Sequence, residues 1–175
     1  MSQGSPQVLV AGIGNIFLSD DGFGSAVVAR LLATVNCADG AGLPAHTRVV
    51  DYGIRGMHLA YDLLDPVDLL VLVDALPERG QVGRVTVLEV GRDDVEAGTV
   101  DESGVDAHGM DPASVLASLR ALGGTMPRTV VVGCEVADVD EGMGLSAEVE
   151  AAVDEALRVV RDVLSREAGV GMEVV

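Results

Sequence analysis

Apolar and polar positions along the chain form short apolar runs that alternate with longer amphipathic segments. The run between Asp68 and Asp74 is apolar without interruption, which is typical of a central strand buried on both faces. The run at 84–90 alternates in polarity and follows the run at 68–74 through a short link, so we expect it to be an antiparallel strand. The five predicted strands lie at 7–11, 47–51, 68–74, 84–90 and 128–136.

Four further segments have the spacing of amphipathic helices. Asp111 before Pro112 is typical of an N-cap followed by proline in the first helical turn, and Ser146 is the expected N-cap of the last helix. Strands alternating with such helices predict an α/β fold with a mainly parallel sheet covered on both faces, in a single domain over residues 1–175. The predicted helices lie at 22–35, 56–64, 112–122 and 147–165.

The net charge of −17 changes the range of expected partners. Such a surface repels phosphate backbones and anionic lipids, so we expect neither nucleic acid nor a membrane as partner. No stretch approaches the roughly 20 apolar residues of a bilayer span, and no signal peptide is recognisable. Cys37 and Cys134 are far apart in sequence and form no CxxC pair, so a secreted disulfide scaffold is not indicated. We therefore expect a cytoplasmic protein, and a monomer.

Carboxylates follow the predicted strands at the ends where α/β proteins bind their ligands. Four separate strand ends would direct these side chains into one crevice. Each acid alone could be an N-cap or a turn residue, but like charges gathered in a cleft are costly unless they share a cation or a proton. The acids are Asp20 and Asp21 after the first strand, Asp51 after the second, Asp74 after the third and Glu135 in the fifth.

Of the three histidines, His108 is the best candidate to join these acids. It stands directly before the helix that begins at Pro112, where its loop could share a rim with the carboxylates. His46 reads as a solvated loop residue, and His58 could face either solvent or the core. Two carboxylates and an imidazole suit a divalent transition metal. The residues alone leave open whether His108 is a ligand or an ordinary loop histidine.

Several other functional classes fit the sequence less well. Gly12 and Gly14 begin a dinucleotide-binding fingerprint, but Phe17 stands in place of its third glycine. A phospho-acceptor receiver domain would need a lysine near the fifth strand, and the chain contains no lysine. No Gly-x-Ser-x-Gly nucleophile motif is present. Cys134 is expected to be a buried strand residue rather than a catalytic thiol.

Residues 12–24, Gly-Ile-Gly-Asn-Ile-Phe-Leu-Ser-Asp-Asp-Gly-Phe-Gly, resemble the opening motif of the hydrogenase maturation proteases. The resemblance covers nearly the whole chain in the same order. It continues through the segments at 51–53, 68–75, 108–116, 133–135 and 142–148. It implies a three-layer α/β sandwich with a twisted, mostly parallel five-stranded sheet and helices on both faces.

The resemblance also implies an activity. The protein would be an endopeptidase that removes the C-terminal extension from the large-subunit precursor of a [NiFe] hydrogenase after nickel insertion. Nickel would be carried by the substrate, and other divalent metals are expected to substitute for it in crystals. The implied metal ligands are Asp21, Asp74 and His108. The implied catalytic residues are Asp51 and Asp21, and the implied substrate-binding residues are Asp20, Glu135 and Asn15.

Two departures from the family pattern bear on this assignment. Asp21 occupies a position where glutamate is common, so the metal ligand could instead be Asp20, or a water could intervene. Tyr52 stands where a small residue is common, which would alter how the substrate tail enters. The alternative function is a non-catalytic, metal-binding assembly factor or chaperone that uses the same cleft. Whether the precursor becomes shorter at its C-terminus separates the two.

Overall fold

The structure is a computed structural model, and it describes residues 6–35, 42–91 and 112–170. Its strands are β1 (Val8–Ile13), β2 (Thr47–Gly53), β3 (Leu69–Pro77), β4 (Val85–Val90) and β5 (Arg128–Val136). Its helices are α1 (Phe23–Val35), α2 (Gly56–Asp62), α3 (Pro112–Ala121) and α4 (Ala147–Val170), and one 3-10 turn, Ser19–Gly22, precedes α1.

The five strands form one sheet in the order β2-β1-β3-β5-β4. Neighbouring strands are parallel except β4, which pairs with β5 in the antiparallel direction at one edge. Four parallel strands therefore present their carboxyl ends at the same edge of the sheet, which we call the carboxyl edge. The predicted α/β fold with a mostly parallel five-stranded sheet is confirmed.

The two faces of the sheet carry two separate hydrophobic clusters. Val8 and Val10 of β1 pack with α1 and α4 on one face, whereas Leu9 and Ala11 pack with α2 and α3 on the other. Successive side chains of a strand point to opposite faces, so uninterrupted apolar strands are what two helical layers require. The predicted inner stripe of α4 is confirmed, because all five of its members are buried: Val149, Val153, Leu157, Val160 and Leu164.

Close packing of α1 on the sheet depends on two glycines. A Cβ at Gly24 would overlap the carbonyl oxygens of Ile13 and Val73, and a Cβ at Gly12 would overlap the carbonyl oxygen of Gly24. The start of α1 therefore lies directly against the ends of β1 and β3. Gly24 provides the close helix–strand approach that Phe17, in the place of the fingerprint's third glycine, does not.

The observed boundaries differ from the predicted ones at several ends. β2 and β3 run further than predicted, to Gly53 and Pro77, and α4 continues to Val170. The predicted first helix is divided, since a 3-10 turn precedes an α-helix that begins at Phe23. Within the described ranges, no helix combines the length and the apolar composition that a bilayer span requires.

Candidate active site

The carboxyl edge brings together the ends of strands that are far apart in sequence. Gly12 of β1 pairs with Asp51 of β2 on one side and with Val73 of β3 on the other. Asp74 follows Val73 and pairs with Gly133 of β5. The predicted convergence of acidic strand ends on one edge is therefore present in the register of the sheet.

Asp21 lies in the 3-10 turn and is partly exposed. Its Oδ2 accepts a hydrogen bond of 2.7 Å from the backbone N–H of Asn15, which fixes the carboxylate over the end of β1. Gly14 makes this approach feasible, since a Cβ there would overlap the carbonyl oxygen of Asp21. Asp21 thus has one oxygen held by the backbone and presents its carboxylate at the rim.

Asp51 is exposed at the end of β2, and its carboxylate is oriented through one oxygen only. Oδ1 accepts hydrogen bonds from the Ser25 hydroxyl at 2.8 Å and from the Gly53 N–H at 2.9 Å. The Gly53 contact is the Asx turn that the sequence allowed as a structural explanation of Asp51. Among the described residues, Oδ2 makes no hydrogen bond, so it can accept one from a substrate or a water.

Asp74 is 8 % exposed and lies at the third strand end, in the middle of the sheet. Its Oδ1 accepts the N–H of Ala75 at 2.8 Å. A carboxylate this deeply buried requires hydrogen-bond or cationic partners, because burying an unpaired charge is costly. Its place in a central strand puts Asp74 near the middle of the carboxyl edge.

Asp20 is fully buried and does not reach the rim. Its Oδ1 accepts the N–H of Ser146 at 2.6 Å, and its Oδ2 accepts the Ser146 hydroxyl at 3.0 Å. Both oxygens are therefore used to hold the residue before α4. Substrate contact by Asp20 stays a prediction with the weaker claim, because its oxygens are both bonded, and Asp21 is the accessible acid of the pair.

Glu135 also has a structural use. It is 6 % exposed, and its Oε2 accepts the backbone N–H groups of Arg79 at 3.0 Å and of Gln81 at 3.1 Å. These bonds hold the turn between β3 and β4. Substrate contact by Glu135 stays a prediction, but the structure gives it the weaker claim because its acceptor capacity is partly used.

Asn15 lies at the rim beside Asp21. Its side-chain Oδ1 accepts the N–H of Phe17 at 3.0 Å, and its own N–H is bonded to Asp21. Asn15 therefore shapes the loop that positions Asp21. Its predicted contact with substrate is untested by this geometry.

His108 lies outside the described residues. His46 and His58 are both exposed, which agrees with a solvated His46 and resolves the two options for His58 in favour of solvent. Over the three described ranges, no three His, Cys, Asp or Glu side chains are grouped closely enough to hold a metal ion. The metal site thus stays a prediction for all three of its residues.

Sequence reasoning missed two serines that orient the acids. Ser25 is buried in α1 and bonds Asp51, and Ser146 bonds Asp20 across the fold. Ser146 was expected only to be a helix N-cap. A serine in the first turn of a helix is too common a feature to identify its partner from sequence, because that partner depends on the tertiary packing.

A cavity of about 330 Å³ lies between β2 and α2, beside the carboxyl edge. In it the Tyr52 hydroxyl donates a 2.5 Å hydrogen bond to Asp62, and burial together with this bond raises the pKa of Tyr52. Arg55 donates to the carbonyl oxygens of Asp51 and Tyr52, which fixes the backbone where β2 ends. The cavity is lined by Val50, Tyr52, Arg55, His58, Tyr61 and Asp62.

Cys134 has the chemistry of a buried structural thiol. It is fully buried in β5, and burial raises its pKa to about 11, with smaller contributions from the nearby charges of Asp20 and Glu135. A thiol that stays protonated at neutral pH is a poor nucleophile. This agrees with its prediction as a strand residue.

A family model and the sequences of known proteins both relate this chain to proteins of hydrogenase maturation. The family model described as HycI, hydrogenase maturation protease, matches residues 28–163. The hydrogenase 2 maturation protease of Escherichia coli K12 is 30% identical over 165 residues, covering 94% of this chain and 93% of that protein. The hydrogenase expression/formation protein HupD of Rhodobacter capsulatus is 27% identical over 160 residues, covering 89% of this chain and 71% of that protein.

Solved structures agree with these relatives. The E. coli hydrogenase maturating endopeptidase HybD superposes with a TM-score of 0.73 at 27% identity, covering 91% of this chain and 93% of that one. The hydrogenase 2 maturation peptidase of Thaumarchaeota archaeon SCGC_AB-539-E09 superposes with a TM-score of 0.66 at 28% identity, covering 91% and 98%. The chain belongs to the hydrogenase maturation protease family, and it is an endopeptidase.

Proposed function

We propose that this endopeptidase removes the C-terminal extension of the large-subunit precursor of a [NiFe] hydrogenase after nickel has been inserted. The observation that carries the proposal is that Asp21, Asp51 and Asp74 all lie at the carboxyl edge of a chain in this family. The alternative of a non-catalytic assembly factor is disfavoured because relatives of this chain are named as proteases and endopeptidases.

In this proposal the nickel belongs to the substrate and serves as the feature by which the precursor is recognised. Asp21, Asp74 and His108 contact it. Carboxylate oxygen and imidazole nitrogen are both ligands that divalent nickel accepts. The geometry supports contacts from the two acids, because Asp21 is partly exposed at the rim and Asp74 lies at the third strand end, in the middle of the sheet.

Asp51 is the general base of the proposal. Its Oδ1 is held by Ser25 and Gly53, so Oδ2 is the oxygen directed to accept a proton. A water that attacks the scissile carbonyl would give its proton to Oδ2, and the carboxyl would return that proton to the leaving amine as the C–N bond breaks. Asp21, the second proposed catalytic acid, would hold the reacting segment through the nickel.

The test is processing of purified nickel-loaded precursor, with the length of the product measured by mass spectrometry. Asp21→Ala, Asp74→Ala and His108→Ala are each expected to reduce processing by at least about 100-fold, since each removes a group that positions the reacting segment. Asp65→Ala is the matched acid control, because Asp65 is exposed between α2 and β3 at the opposite edge.

His46→Asn is the matched histidine control. His46 is exposed and has a backbone φ of 62°, a conformation that asparagine tolerates. Both controls are expected to process the precursor at the wild-type rate. Full activity in all three site variants would refute the metal-contact assignment, and a precursor of unchanged length with wild-type protein would refute C-terminal processing.

Ser25→Ala separates a positioning role from a general effect on the fold. Loss of the hydroxyl leaves Asp51 with the Gly53 N–H as its remaining orienting contact. We expect kcat to fall about tenfold with KM unchanged, and Ser25→Thr to recover part of the rate. A change in KM alone would argue against Asp51 as the base.

A further inference from the structure

We propose that a collar of apolar residues around the acidic rim binds the precursor. The surface of the precursor that it contacts would be apolar and flanked by basic side chains. The inference rests on the proposed function and adds a binding surface to it. The collar is distinct from the acids, since its members are large hydrophobic residues that remain exposed, five of them on loops and Met57 at the start of α2. They are Ile16, Phe17, Ile54, Met57, Val139 and Met143.

Three members of the collar, Phe17, Ile54 and Met143, are the most exposed large hydrophobic residues in the described part of the chain. Phe17 is 61 % exposed, whereas Phe23, the other phenylalanine, is fully buried. Ile54 is 61 % exposed and Met143 is 76 % exposed. A contiguous exposed apolar patch with a polar border is characteristic of a protein–protein interaction site, whereas isolated exposed hydrophobic residues are common.

The collar is concentrated at the carboxyl edge. Ile16 and Phe17 follow β1, Ile54 and Met57 follow β2, and the last two members follow β5. These are the strands that carry or adjoin the proposed catalytic and metal-contacting acids. Any partner that brings a peptide to Asp51 or Asp21 would therefore meet the collar.

The loops that carry most of the collar are fixed to one another by backbone hydrogen bonds. The loops after β1 and β2 are joined by a bond of 3.1 Å from the Gly14 N–H to the Gly53 oxygen. The loops after β1 and β5 are joined by three backbone hydrogen bonds with donor–acceptor distances of 2.9–3.0 Å. A surface held in this way loses little conformational entropy on binding, which favours affinity. The hydrogen bonds between the loops after β1 and β5 run from Ser19 N–H to Gly142 O, from Gly142 N–H to Phe17 O and from Asp20 N–H to Asp138 O.

Charge selects the precursor, rather than a second copy of this chain, as the occupant. Exposed acids lie between and beside the collar residues, at Asp51, Asp138, Asp140 and Glu141. A symmetric dimer through this surface would place these acids against each other, and like charges across an interface are strongly unfavourable. Basic side chains beside an apolar patch of the precursor would instead complement both the apolar collar and the exposed acids beside it.

The experiment measures binding and cleavage separately on purified nickel-loaded precursor. Phe17→Ser combined with Ile54→Ser is expected to raise KM and the dissociation constant about tenfold and to leave kcat unchanged. Raising the salt concentration should also weaken binding of the precursor by the wild-type protein, because salt screens the attraction between the exposed acids and basic side chains. Leu64→Ser combined with Leu122→Ser is the control, because these leucines are also exposed, at 45 % and 39 %, but lie before β3 and β5, at the opposite edge.

The outcomes distinguish this inference from the proposed function. Unchanged binding in the collar variant, or an equal loss in the control variant, would overturn the collar. So would a wild-type dimer that the collar variant converts to a monomer without loss of precursor binding. Failure of the proposed function would appear instead as a precursor of unchanged length with wild-type protein, and the binding measurement on the collar variant does not depend on that result.

Discussion

Replacing Asp20 by alanine is expected to destabilise the fold without removing a group from the active site. Asp20 is fully buried, and its carboxylate accepts both the N–H and the hydroxyl of Ser146 at the start of α4. Its neighbour Asp21 is partly exposed and accepts one N–H. Loss of Asp20 should therefore affect mainly the stability of the fold, whereas loss of Asp21 should affect mainly the activity.

The magnitude follows from the two hydrogen bonds. A bond to a charged group contributes about 1.5–3 kcal/mol, and a buried donor left without an acceptor adds to the loss, so Asp20→Ala should lower the free energy of unfolding by about 4 kcal/mol. For a domain of this size that corresponds to a fall in Tm of roughly 8–16 °C. Asp20→Asn keeps one acceptor and should cost about half as much. Asp21→Ala should cost about 1 kcal/mol.

Urea unfolding followed by far-ultraviolet circular dichroism is the assay, because the chain has no tryptophan to report by fluorescence. A double-mutant cycle with Ser146→Ala measures the coupling energy of the pair. The reasoning is refuted if Asp20→Ala unfolds within about 1 kcal/mol of wild type and at the same time loses processing of the precursor. Asp20 would then belong to the active site.

Three further changes test the packing that supports the site. Gly24→Ala should cost about 3 kcal/mol in urea unfolding, because the new Cβ overlaps backbone oxygens of β1 and β3; a stability equal to wild type would contradict this. In a Cys37→Ser background, the thiol of Cys134 should resist a disulfide reagent at pH 8 until the protein unfolds. Because the Cys134 pKa is raised from 9.0 to about 11, its neutral form stabilises the fold below pH 9, and this contribution should decline between pH 9 and 11 in unfolding measured against pH. Tyr52→Phe should cost about 2 kcal/mol through loss of its bond to Asp62, and the Asp62→Asn variant should remove much of that difference.

The sequence alone determined the order of elements and the sides on which they are buried. Period-2 and period-3.6 patterns depend only on local geometry, so the strand at Arg128–Val136 and the inner stripe of α4 agree with prediction. Parallel strands send their carboxyl ends to one edge whatever the details of packing. The gathering of Asp21, Asp51 and Asp74 at that edge was therefore predictable.

Only the tertiary structure decided what each acid does. Asp20 and Asp21 are adjacent in a 3-10 turn, and the turn points their side chains in different directions. Asp20 is the buried one because Ser146, 126 residues away in sequence, provides two donors at the start of α4. Glu135 is held by the turn between β3 and β4 for the same kind of reason. Such partners are set by how distant elements pack together, and no local pattern in the sequence encodes that contact.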